Sequence, residues 1–463
     1  MPRRESAHGY WSSTRIFVTA TAAAAIGLGN LWRMPSLMGE YGGGAFLLVY
    51  IFMLAVVALP LMVAELMIGR WARRNVVGSV RIMALEGGAH PAWVSLGWMA
   101  LVAAIIVLSY YSVIAGWSMA YLIRAASGVF GQGDEETVSI VFRELVADPE
   151  RALAWHTIFI VICTVVVAQG VRYGLEPVAR YFLPAAFVLL LLTLCVATVT
   201  ADMSSSLVYL LGFDFSALGW RGVLEALLQA FFGLGLGVGV MTAFGALLPS
   251  DVRLFRNGLK VITLHTLFSV LGGLAIFAFV FAAGLSPTNG VRLVFHTLPM
   301  AVIPTSGSLV LAMFYLILVL LALTTAVSLM EAVVQRVTER FQQGRIFAAC
   351  NLGLIMWFLG LGTLGSFSFL QDLRLFDRTV FDWLSLIGGR ILIPLVGLGL
   401  CVFVARILPI SLLREAWEDG DERSFQYWFW CLVYPARIGL ILVLLYATGL
   451  LDMLIRFWTP AGV

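Results

Sequence analysis

Hydrophobic residues fall into long runs separated by short polar connectors. The runs lie near residues 16–37, 43–69, 93–124, 154–170, 178–200, 221–248, 258–284, 308–338, 345–364, 380–405 and 426–452. Each is near or above the ~20 residues that an α-helix needs to cross a bilayer, so the pattern predicts eleven membrane-spanning helices. Two runs carry the wrong residues for an uninterrupted helix. In the first, Ile26–Pro35 reads Ile-Gly-Leu-Gly-Asn-Leu-Trp-Arg-Met-Pro. An unsatisfied backbone polar group in lipid costs several kcal/mol, and a charged side chain costs at least ~2.5–3.5 kcal/mol on insertion scales. Such a segment persists only where it faces a protein-lined cavity, and a solute site is expected there. In the sixth run, glycine recurs at 233, 235, 237 and 239. A glycine in a helix interior costs ~1 kcal/mol relative to alanine. Gly-xxx-Gly packing is one explanation, but strict alternation serves no single helical face and favours an unwound stretch.

Breaks in spans one and six are what two five-helix repeats of opposite topology produce, with half-helix ends and free carbonyls meeting near the midplane. The chain then divides into a first repeat (1–200), an inverted second repeat (201–407), and a connector with a last helix (408–463). The connectors 125–153 and 285–307 are long enough to cover an entrance or to serve as ordinary links.

Composition narrows the class. Of 463 residues, 61% are hydrophobic and 12% charged, with a mean hydropathy of +0.97. A soluble core does not need that much apolar surface, so an all-α polytopic membrane protein is implied. The net charge of +3 is too small to suggest nucleic acid. Arginines at 3, 4, 70, 73, 74, 81, 172, 180, 253, 256, 336, 340, 345, 406, 414 and 423, with Lys260, fall on one side of the predicted spans. The positive-inside rule makes that side cytoplasmic, with the N-terminus inside and the C-terminus outside. Met1–Arg15 is polar and does not read as a cleavable signal. The five cysteines sit in apolar stretches without paired spacing and read as packed thiols.

The segments Gly27-Leu28-Gly29-Asn30-Leu31-Trp32-Arg33-Met34-Pro35 and Glu40-Tyr41-Gly42-Gly43-Gly44-Ala45-Phe46 carry a resemblance. It extends through Leu59-Pro60, Glu65 and Gly69-Arg70 in span two and Tyr110-Tyr111 with Trp117 in span three. On these residues the chain resembles the neurotransmitter:sodium symporter family, with the leucine-transporter type of fold and the eleven spans usual in prokaryotic members. The resemblance implies a transporter of the prokaryotic inner membrane and no enzyme. It implies a small-molecule amino-acid substrate, and a monomer or weak homodimer in the bilayer.

Carried over by position, the resemblance implies a second sodium site. Its ligands are the carbonyls of Ala23 and Ile26 in span one, those of Leu321 and Thr324 in span eight, and the Thr325 hydroxyl. A hard cation wants several oxygen dipoles, and a broken helix offers them without added charge. Taken alone, Thr324-Thr325 reads as hydroxyl back-bonding within a helix. The first sodium site departs from the family pattern. Ala25 and Asn30 remain, but Gly233 stands where a hydroxyl is expected and His265 where an asparagine is expected. His265 lies ~10 Å into the membrane, at 1.5 Å per residue from Gly258. It reads as a proton carrier, as a fixed charge replacing the first sodium, or as a neutral core histidine filling the space left at Gly233. Tyr50, Gln229 and Ser269 stand where chloride-dependent members hold their anion, so bound chloride or a coupled proton joins sodium among the expected ions.

Gly27 replaces the aspartate of amine-selective members, which points to a substrate carrying its own carboxylate. That group would meet the Gly29 amide and the Tyr111 hydroxyl, within a pocket formed by Ala24, Ala25, Val107, Phe232, Gly235, Val238, Thr325 and Leu329. Small residues at 235 and 238 suggest room for a bulky hydrophobic or aromatic side chain. The expected outer gate pairs Arg33 with Asp382, or with Asp377, over Tyr111 and Phe232. At the inner end Glu339 holds the acidic gate position. There His8 occupies the aligned place of the usual arginine, and Arg4 is the nearest arginine, with membrane anchoring as its other reading. The implied activity is sodium-coupled symport of a neutral amino acid; proton-driven uptake and a non-transporting receptor are the rivals.

Overall fold

The computed structural model describes residues 4–249, 252–288, 290–417, 421–451 and 453. Among them the fold is helical, and β pairing is limited to isolated bridges such as Gly43 with Phe213. Among the described residues nine helices are long and apolar enough to cross a membrane, or ten where the bent pair α1 (Thr14–Ala25) and α2 (Gly29–Glu40) counts as one span. Ser13 starts α1, its side chain accepting from the Ile16 N–H. The helix then runs through Ala22–Ala25, where small side chains permit close packing. At Ile26–Leu28 the chain leaves the helix and re-enters it at Gly29 with a 63° bend.

The expected span 221–248 is divided. Helix α3 (Phe215–Gly233) and the short α4 (Val240–Gly245) are joined by the residues between them, with Gly235, Gly237 and Gly239 at φ +61°, +79° and +77°. That region of backbone space is open to glycine and costly for other residues. The alternation is therefore a backbone requirement rather than a packing stripe. The Gly237 N–H is satisfied by Glu65 Oε1 at 2.8 Å, from the neighbouring span Gly44–Ala72.

Span eight continues from an extra helical segment, Gly290–Phe341 in all, with a break at Gly307 (φ 81°, ψ 177°). Both long connectors are ordered by packing: one holds the helix Glu135–Val146, and Ser139 bonds His296 of the other at 3.0 Å. Tyr121 and Tyr315 hydroxyls donate to the Phe295 and Val294 carbonyls beneath. One expectation is corrected here. Cys163, Cys401 and Cys431 are buried, but Cys195 and Cys350 are exposed, because they face outward from helices at the edge of the bundle.

Candidate substrate and ion site

The two breaks face each other across a cavity of about 270 Å³. Ala24, Ala25, Gly27, Gly29, Val107, Tyr111, Phe232, Gly235, Val238, Thr325 and Leu329 all border it. Gly27 is the floor of a cradle: a Cβ there would lie 3.1 Å from Thr325 Oγ1 and 3.3 Å from Tyr111 Oη. Both hydroxyl oxygens are buried and make no well-formed hydrogen bond. A buried polar atom left unpaired costs about 1–3 kcal/mol, so an arrangement with two of them side by side fits a polar guest. The N-terminus of α2 has no side-chain cap; the Asn30 and Leu31 N–H groups turn back to the Gly27 and Leu28 carbonyls at 3.1 Å, and the Gly29 N–H suits an anionic group. Across the cavity, a Cβ on Gly235 would meet nothing within 4 Å, which leaves open space for an apolar side chain.

On the side toward span eight, α1 packs against Gly290–Phe341. Ala23 and Thr324 border a small void of about 10 Å³, with Trp11 and Ser328. Ile26 and Leu321 are buried beside them and border neither cavity. The Thr324 hydroxyl donates to the Leu321 carbonyl at 2.9 Å, and Ser328 donates to the Thr324 carbonyl at 2.7 Å. Each carbonyl keeps a second lone pair. Free carbonyls of a broken helix beside an unpartnered hydroxyl fit a sodium ion.

The opposite flank has a different character. Asn30 Oδ1 accepts from the Gly27 N–H at 2.9 Å, and its amide donates to Ser269 Oγ at 2.8 Å. Ser269 in turn donates to the His265 carbonyl at 3.0 Å. His265 is fully buried, and its Nδ1 pairs with the Tyr50 hydroxyl at 3.2 Å. Its ring fills the space beside Gly233, where a Cβ would lie 3.0 Å from Cε1 and Nε2. Gln229 adjoins this cluster, with Oε1 unpartnered. The first ion site and the chloride residues thus hold two side-chain pairs, Asn30 with Ser269 and Tyr50 with His265, joined through the His265 carbonyl, while His265 Nε2, like Gln229 Oε1, is buried without a partner.

Two gate pairings differ from the sequence expectation. Arg33 lies 3.5 Å from Glu225 and stacks 5.8 Å over the Phe232 ring, while Glu225 also accepts from Tyr446 at 2.9 Å. Asp382 is instead consumed as a helix cap, accepting from the Thr379 N–H and hydroxyl at 3.0 and 2.8 Å, and Asp377 is exposed in a turn. At the inner end Glu339 bonds His8 at 2.8 Å and takes the Asn75 N–H and amide at 2.7 and 2.6 Å. Arg4 pairs with Glu86 rather than Glu339. Trp11 and Ser12 complete this closure through the Phe244 carbonyl and Glu176. Glu65 was visible in the sequence as a carboxylate in mid-span, although its task of holding unwound backbone was not. Nothing local marks Glu225, since its partners come from distant helices.

A helical membrane protein with two broken spans around a central cavity is built as a secondary transporter. Residues 8–131 and 148–451 match the model of the sodium:neurotransmitter symporter family, and the chain belongs to that family. It is 31% identical over 447 residues to an uncharacterized sodium-dependent transporter, YhdH, of Bacillus subtilis, covering 96% of this chain and 98% of the relative. It is 24% identical to the sodium-dependent nutrient amino acid transporter 1 of Drosophila yakuba, over 96% of this chain and 78% of that one. Among solved structures, that of MhsT in complex with L-phenylalanine superposes with a TM-score of 0.85 at 33% identity. The match covers 95% of this chain and 99% of that one, and the fold is the leucine-transporter fold.

Proposed function

We propose that the chain is a sodium-coupled symporter that imports a neutral amino acid with a bulky hydrophobic or aromatic side chain by alternating access. The observation that carries this reading is the Gly27 cradle. Two buried hydroxyls, Tyr111 and Thr325, that face each other without a well-formed hydrogen bond stand beside an uncapped helix N-terminus and open onto a cavity with free room at Gly235. The substrate carboxylate meets Tyr111 and the Gly29 N–H at the start of α2. Its side chain lies among Val107, Phe232, Val238 and Leu329. Support comes from MhsT, solved with L-phenylalanine, and from relatives named as sodium-dependent transporters.

Sodium bound by the Ala23, Ile26, Leu321 and Thr324 carbonyls and the Thr325 hydroxyl would supply the charge that ties α1 to span eight. We read the other flank as closed to a second sodium: a neutral His265 imidazole occupies the space, and the Asn30 side chain is engaged at both ends. His265 is fully buried without an ion-pair partner among the described residues, and an unpaired buried imidazolium would be costly. Tyr50 and Ser269 spend their hydroxyl contacts inside the protein, so chloride has no part in this reading. We place the arginine-rich end in the cytoplasm. The test is flux of labelled L-phenylalanine into proteoliposomes under an imposed sodium or proton gradient. Accumulation driven by sodium alone supports the reading. Accumulation driven by protons alone, or binding without accumulation, overturns it.

A further inference from the structure

At the arginine-rich end, two cavities away from the central site share a wall, the larger bordered by Asn75 and Glu339 of the inner closure. One is an almost wholly apolar groove of about 380 Å³ between spans three, eight and nine, lined by Leu101, Ile105, Val337, Leu352 and Ile355. The other is a wider pocket of about 860 Å³ that gathers Arg74, Arg81, Arg336 and Arg340. Trp98, Arg336 and Arg340 belong to both, and the Arg336 guanidinium lies 4.7 Å over the Trp98 ring. The charges are unbalanced. None of the four arginines has an ion pair among the described residues, and Arg336 Nε is buried without a partner. Arg336 has two like-charged neighbours, Arg81 and Arg340, against one carboxylate, Glu339. The single carboxylate in the pocket, Glu339, is already held by His8 and Asn75.

General attraction of basic residues to a membrane surface explains arginines scattered along one face. It does not explain four that converge on one pocket, nor an apolar groove leading from that pocket. Guanidinium groups bind phosphate oxygens in a planar, bidentate fork. A basic pocket between helices at the membrane surface, opening into an apolar groove, has the two-part chemistry of a phospholipid. We propose that this site binds one anionic phospholipid: the headgroup phosphate among Arg74, Arg81, Arg336 and Arg340, and an acyl chain along the Trp98 groove. The bound lipid bridges the segment after span two to span eight, beside the Glu339 closure.

The full chain, purified in an uncharged detergent, is tested with dioleoylphosphatidylglycerol, dioleoylphosphatidylcholine or inorganic phosphate. The readouts are thermal unfolding and lipid retention by native mass spectrometry. The glycerol lipid is expected to be retained and to raise the unfolding midpoint by several degrees, with little effect from the choline lipid or from phosphate alone. Arg81→Gln with Arg340→Gln, both exposed positions, is expected to lose most of that shift and retention. Brominated acyl chains on the glycerol lipid should quench part of the tryptophan fluorescence, and that part should vanish in Trp98→Phe. Equal response to both lipids, an unchanged response in the double variant, or a full shift from inorganic phosphate would overturn the proposal. Quenching that survives in Trp98→Phe would overturn the placement of the chain in the groove.

Discussion

The two flanks of the broken first span share one backbone and differ in what their oxygens do. Toward span eight, the Thr325 hydroxyl is buried facing Tyr111 without a well-formed hydrogen bond, beside carbonyls released by the break. Toward span seven, Asn30, Ser269, His265 and Tyr50 form a connected chain of hydrogen bonds. An ion site needs polar atoms that are held in place but not yet satisfied. On the span-seven flank the His265 ring takes the space beside Gly233, and although Gln229 Oε1 and His265 Nε2 keep no partner, an ion must displace that ring and break the Asn30 bonds to enter. The difference arises largely from two positions, Gly233 and His265, which exchange volume across the helix interface.

Thr325→Ala acts on the open flank and carries the largest expected effect. Losing one oxygen to a charged guest costs ~1.5–3 kcal/mol, so the sodium needed for half-maximal uptake should rise about 10- to 100-fold. Unchanged sodium dependence in a transport titration would remove Thr325 from the ion site.

Gly233→Thr acts on the closed flank. With His265 present, the added Cβ crowds its ring at 3.0 Å, and overpacking should cost ~1–3 kcal/mol in thermal or denaturant unfolding. In combination with His265→Asn the loss should be smaller than in Gly233→Thr alone, a non-additivity expected of residues in contact. Strict additivity would show that the two positions do not trade volume.

Glu65→Ala serves as a control that touches neither flank. It leaves the Gly237 N–H without its acceptor and should destabilise the protein by ~1–3 kcal/mol, while Glu65→Gln, which keeps an acceptor, should cost less. An equal loss in both variants would point to the charge rather than the hydrogen bond.

The smallest effect lies outside the membrane. Burial alone would raise the Glu86 carboxyl, but hydrogen bonds from Arg4 and Trp71 outweigh it and hold the group below the ordinary carboxylate range. Its contribution is therefore full above the ordinary glutamate value of ~4.3 and is lost as pH falls through the lower folded value. Proteolysis of the N-terminal segment should quicken slightly on that acidification. In Glu86→Gln the acid-dependent increment should be absent; an increment that persisted would assign it to another group.

Much of this architecture is legible in the sequence because membranes penalise exceptions. Glycine at 235, 237 and 239 cannot be explained by a helix in lipid, and each proves to hold a positive φ. The same logic draws attention to the Gly27 break and to His265, since a polar group in mid-span must have a reason. Side-chain partnerships are a different matter. Arg33 meets Glu225 rather than Asp382 because Asp382 is satisfied three residues away by Thr379. That competition between a local cap and a distant pair depends on where helices end, which hydropathy does not specify. The inner closure falls between the two cases: His8 meets Glu339 as alignment suggests, while Arg4 is drawn to Glu86.

The claim that one flank is open and the other closed is tested most directly by titrating sodium against L-phenylalanine binding to the purified protein. A single sodium site predicts a hyperbolic curve with a Hill coefficient near one, turning sigmoidal in the Gly233→Thr/His265→Asn variant as the closed flank is vacated. A sigmoidal curve approaching two in the unmodified protein would contradict the account, because it would place a second ion where His265 stands.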